Sequence, residues 1–145
     1  MPHPLHPDAP AEDWIPRVAA AMGLAVALGA GAMALVLLVT RALIAGAAGD
    51  GQPDPFATPG VVLLLGTAAS CALAFVTVWI VLRPIGNPYR QGGLASVAGL
   101  VTLVLGFLAA PVHYYLGATG LAAVAGIAAL AALALARRLR RMGAP

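Results

Sequence analysis

Residues 18–40 read VAAAMGLAVALGAGAMALVLLVT, a run of 23 residues without a charge, closed by Arg17 on one side and Arg41 on the other. As a helix rising 1.5 Å per residue it reaches about 35 Å, enough to cross a hydrocarbon core about 30 Å thick with some tilt. A cleaved secretory signal is the rival reading, but the run is too long for one and the segment before it is acidic. It is read as a transmembrane helix. Three more apolar runs follow, at residues 61–82, 94–112 and 118–136. The expected fold is all-α: four transmembrane helices packed as an antiparallel bundle.

Composition agrees with lipid as the solvent. The chain has 145 residues, 61% hydrophobic and 9% charged, against about 45–50% and about 25% in soluble domains. So small a globule could not bury that much apolar surface. All of the eight basic residues are arginine, and they stand at the ends of the apolar runs, which argues against nucleic acid as a partner. That bias, with abundant Ala, Gly and Pro, fits a GC-rich bacterial genome. The single cysteine, Cys71, lies within an apolar run and reads as a small buried hydrophobe.

The segments between the runs carry turn chemistry. Residues 1–16 form a Pro-rich tail in which Asp8 could cap a short helical turn with Pro10 near its start, placing Trp14 at headgroup depth. Residues 45–60 (AGAAGDGQPDPFATPG) form a polar loop with Asp50 and Asp54. Residues 83–93 hold Pro84 and Asn87-Pro88, and His113-Tyr114-Tyr115-Leu116 makes a tight link that sets the last two helices side by side. The transmembrane domain is bounded at 17–137, leaving a basic tail at 138–145. With the N-terminus cytoplasmic, seven arginines (Arg17, Arg83, Arg90, Arg137, Arg138, Arg140 and Arg141) lie inside and only Arg41 outside, a strong positive-inside bias. Both termini are read as cytoplasmic.

No hydrophobic force draws helices together in lipid, so small residues mark where they meet. The third run has Ala95, Gly99, Thr102, Gly106 and Ala109 at alternating steps of four and three. The fourth has Ala118, Ala122, Ala125, Ala129, Ala132 and Ala136 on the same period, and the two seams are expected to face each other. The first run carries Ala19, Gly23, Ala27 and Gly31, and the second Gly66, Ser70 and Ala74.

The five acids (Asp8, Glu12, Asp13, Asp50 and Asp54) all lie outside the runs, which argues against a proton-driven carrier, since such carriers keep an ionisable group at membrane depth. No histidine pair could hold haem from both sides; His113 stands alone, and His3 and His6 read as solvated tail residues. His113, Tyr114 and Tyr115 read as interfacial anchors like Trp14, with contact to a quinone or lipid headgroup as the functional alternative. Thr67, Ser70 and Thr77 share one helical face, within about 80°; they read as packing hydroxyls, or as a pore lining. Arg137, Arg138, Arg140 and Arg141 suit anionic headgroups, while Arg41 snorkels outward or pairs with Asp50 or Asp54. No nucleophile–base pairing, phosphate loop or metal spacing is present, so no enzyme, cofactor or metal is expected. The reading is an accessory or assembly subunit of a larger bacterial inner-membrane complex, in contact with lipids and other integral subunits. A small homo-oligomeric channel or uncharged-solute facilitator is the alternative.

Overall fold

The computed structural model describes residues 11–47, 60–83 and 87–143, all helical except at the segment ends. Helix α1 spans Ala11–Ala47, α2 spans Gly60–Val81, and α3 spans Pro88–Gly143. Within α3, Gly117 departs from helical geometry (φ 59°, ψ −153°) and divides the helix into two arms. Four stretches are long and apolar enough to cross a membrane: Trp14–Gly46, Val62–Val81, Pro88–Ala109 and Tyr114–Met142. The chain is a multi-pass transmembrane protein. The Asp8 cap, Pro10, His3, His6, Asp50 and Asp54 lie outside the described residues.

The helix ends differ from the sequence reading for local reasons. The third span starts at Pro88, earlier than residue 94, because Asn87 caps it: its Oδ1 accepts the N–H groups of Tyr89 at 3.1 Å and Arg90 at 3.2 Å. Pro88, which has no N–H to satisfy, fits the first helical position. The link expected at residues 113–116 is itself helical and the break falls at Gly117. The fourth span runs through its arginines to Met142, so much of the expected tail is helix.

Helix α1 lies at the centre of the packing and uses two faces. One is the row Ala21, Ala25, Gly29, Met33 and Leu37, all buried. It meets Ala74 and Val78 of α2, Leu82 just past its end, and Ala95 and Ala98 of the third span at one end of the bundle. At the other end it meets Leu121, with Leu63, Ala109 and Val112 packed alongside. Halfway along, a methyl at Gly29 would fall 2.4 Å from Thr102 Cγ2 and 3.3 Å from the Ser70 carbonyl oxygen. The second face carries Gly23 and Gly31, which lie against Leu135 and Ala128 of the fourth span. As numbers rise along α1 they fall along the fourth span, and Gly29 with Ser70 and Gly66 with Met33 and Val36 give the same opposed order against α2.

The third-span seam does not face the fourth. Ala95 is buried against α1 and α2, Thr102 meets Gly29, and a methyl at Gly106 would stand 2.9 Å from Thr67 Cγ2. At Gly99 the nearest atom would be the Cys71 carbonyl oxygen at 3.8 Å, an ordinary contact. The fourth span turns Leu121, Ala128 and Ala132 inward, while Ala118, Ala122 and Ala129 are exposed. Alanine is so frequent here that its 3.5-residue period also occurs on an outward face, and a tight hairpin fixes adjacency without fixing which faces meet.

Candidate functional site

The polar side chains of the spans sort into a buried hydroxyl layer, an aromatic end and an arginine-rich end. In the layer, Thr67, Ser70 and Thr102 are buried where α1, α2 and the third span meet. Thr102 Oγ1 donates to the Ala98 carbonyl at 2.8 Å, and Thr77 Oγ1 to that of Leu73 at 2.7 Å. Hydroxyls that bond back to their own helix satisfy themselves without a ligand. Ser70 Oγ is buried with no hydrogen-bond partner among the described residues. Gly29 and Gly106 bring neighbouring chain into close contact at this depth, filling the space beside Thr67 and Thr102.

At the end near the α3 break, Tyr114 and Tyr115 are exposed and meet edge to face, with ring centroids 4.9 Å apart. The Arg41 guanidinium approaches Gly117, its Nη1 3.7 Å from where a methyl there would lie. Arg41 is thus drawn to the hairpin, a neighbour that neither sequence reading of it named. The side chain of His113 lies outside the described residues. Trp14 is half-buried in the first turns of α1.

At the opposite end, Arg83, Arg90, Arg137, Arg138, Arg140 and Arg141 are exposed. Arg17 is half-buried, its Nε enclosed without a hydrogen-bond partner among the described residues. Gln91, buried beside this end, donates from Nε2 to the Trp79 carbonyl near the end of α2, one of the four carbonyls that a helix C-terminus leaves unpaired. The sequence reading passed over Gln91, although a lone amide just after an Asn-Pro cap and just before an apolar run was a usable signal.

A lipid-facing apolar groove of about 560 Å³ separates the third and fourth spans, floored by Gly23, Ala27 and Ala30 of α1 and walled by Val101, Val124 and Ile127. Of the predicted packing residues, Ala95, Thr102, Gly106 and Ala132 are buried, Gly99, Ala109 and Ala125 half-buried, and Ala122 and Ala129 exposed. Among the described residues no three His, Cys, Asp or Glu side chains come together as a metal site would require. No protein-family model matches the chain, and no curated protein or solved structure is significantly similar to it.

Proposed function

We propose that this chain is a non-catalytic accessory or assembly subunit of a larger complex in the bacterial cytoplasmic (inner) membrane, such as a respiratory or photosynthetic one. The fourth span carries this reading. Only 6% of its apolar window is buried, against 33% for the first span, and Ala118, Ala122 and Ala129 face outward. Small side chains gain little from lipid, but they let the backbone of a neighbouring helix come close. A tagged chain extracted in mild detergent should therefore co-purify with other integral membrane chains. Ala122→Leu with Ala129→Leu should release them while the thermal midpoint of the free chain holds, and Val104→Leu, on an exposed site of the third span, should release nothing. Recovery of the wild-type chain alone would overturn the subunit reading.

The unpartnered Ser70 hydroxyl is the observation that favours the channel alternative. Thr67→Val, Ser70→Ala and Thr77→Val together separate the two. A subunit that works through its surfaces keeps the complex active, whereas a channel lined by these hydroxyls loses transport with assembly intact.

Orientation belongs to the same proposal: both termini cytoplasmic and residues 45–60 outside. In a Cys71→Ala background, an impermeant thiol reagent added from outside should label Gln52→Cys and spare Tyr89→Cys. The opposite pattern would invert the topology.

A further inference from the structure

The arginine-rich end is more than a scatter of basic residues at helix ends. Gly31 lies against Ala128 and Gly23 against Leu135, and continuing that opposed register along α1 brings Arg17 level with Arg141. The opposed register of α1 and α2, set by Gly29 at Ser70, brings Arg17 level with residues 82 and 83. Gly29 at Thr102, with Ala21 and Ala25 beside Ala95 and Ala98, brings it level with Arg90. Seven of the eight arginines thus share one layer of the bundle.

We infer that this layer is a binding site for the headgroups of anionic phospholipids, with Arg137, Arg138, Arg140 and Arg141 as its main contacts. On the fourth span these four occupy an arc of about 160° at 100° per residue, and all are exposed, while Leu135, Leu139 and Met142 are half-buried behind them. The helix therefore stays packed to its last turn and fixes the backbone positions from which the four arginines extend, which a loose tail would not do. Their depth selects the ligand. Residues 137 to 141 rise about 6 Å along the helix axis, the thickness of one headgroup layer, about 5–8 Å. They also follow directly on the apolar stretch of a membrane span. A guanidinium binds phosphate oxygens through two parallel N–H bonds. By sequence the chain carries eight arginines against five carboxylates, so positive charge is in excess.

This inference rests on the membrane fold and not on the subunit proposal, so a chain that purifies without partners leaves it standing. The test uses the full chain in neutral-detergent micelles, titrated with phosphatidylglycerol, phosphatidylcholine or inorganic phosphate, with retained ligand read by native mass spectrometry and the thermal midpoint followed in parallel. Phosphatidylglycerol should be retained and raise the midpoint, and phosphatidylcholine and inorganic phosphate should do neither. Arg138→Gln with Arg141→Gln leaves five arginines at this end and so keeps the orientation signal. At about fivefold per guanidinium, this pair should weaken phosphatidylglycerol binding roughly twenty-five-fold, and Arg41→Gln at the other end should leave it unchanged. Equal retention of the two lipids, an equal effect of inorganic phosphate, or equal loss in the Arg41 variant would overturn the site.

Discussion

Gly29→Ala is expected to cost the protein most of its folded yield in detergent, and Thr102→Ala in the same chain is expected to restore much of it. Alanine favours a helix interior by about 1 kcal/mol over glycine, so the sign rests on space. The new methyl would lie 2.4 Å from Thr102 Cγ2, whereas carbon atoms rest about 3.5–4.0 Å apart. Thr102 cannot turn aside cheaply. Its β-branched side chain is stiff at χ1, and its hydroxyl is tied to the Ala98 carbonyl at 2.8 Å. Moving α1 instead would open the buried row Ala21, Ala25, Met33 and Leu37, and the Ser70 carbonyl oxygen waits at 3.3 Å on the other side. Overpacking of this kind costs about 1–3 kcal/mol, and here three helices share the contact. Thr102→Ala deletes the two nearest atoms, Cγ2 at 2.4 Å and Oγ1 at 3.2 Å, and leaves the Ser70 oxygen at 3.3 Å. Gly126→Ala, where nothing lies within 4 Å, is the control and should hold or raise the thermal midpoint. If Gly29→Ala melts with the wild type and Thr102→Ala does not help it, the three-helix contact is refuted.

The number and position of the spans were legible in the sequence because uninterrupted apolar length is a strong signal, and Arg17, Arg41 and Arg83 punctuate it. Which faces meet was much less legible. The first-run pattern Ala19, Gly23, Ala27, Gly31 held part of the answer, since Gly23 and Gly31 do carry a contact, but with the fourth span. The row that builds the core lies two residues on, at Ala21, Ala25, Gly29, Met33 and Leu37. It mixes small and large side chains and so escapes a search for small residues alone. On the third span, Thr102 and Gly106 stand at close contacts while Gly99 makes an ordinary one; glycine inside a helix is costly and must be offset. The partner of the third-span seam was misassigned, because in lipid a helix hydrophobic all round gives no clue to its inner side. At the candidate site, the seven clustered arginines could be counted from the sequence, but their common layer needed the register between helices. Ser70 could be placed on a face, but its lack of a partner could not be foreseen without the packing of Gly29 and Thr102 around it.

At Gly117 the backbone itself sets the expected effect. With φ 59° and ψ −153° it occupies a region that is essentially open only to glycine, and holding a side chain there costs about 1–3 kcal/mol. The nearest atom to a methyl there would be the Arg41 Nη1 at 3.7 Å, an ordinary contact, so the backbone conformation and not a clash sets the cost. The turn cannot relax by a small shift on its fourth-span side. A methyl at Gly120 would fall 2.2 Å from Leu116 Cβ, and Thr119 Oγ1 donates to the Leu116 carbonyl at 3.1 Å. Gly117→Ala should therefore lower unfolding stability in detergent by about 1–3 kcal/mol, read from the denaturation midpoint. Asn provides the sharper comparison. It tolerates the left-handed helical region, where φ and ψ are both positive, but ψ here is far from that region, so Gly117→Asn should be no better than Gly117→Ala. A stable asparagine variant beside an unstable alanine variant would show that the hairpin uses an ordinary left-handed turn, and wild-type stability in both would remove the backbone constraint altogether.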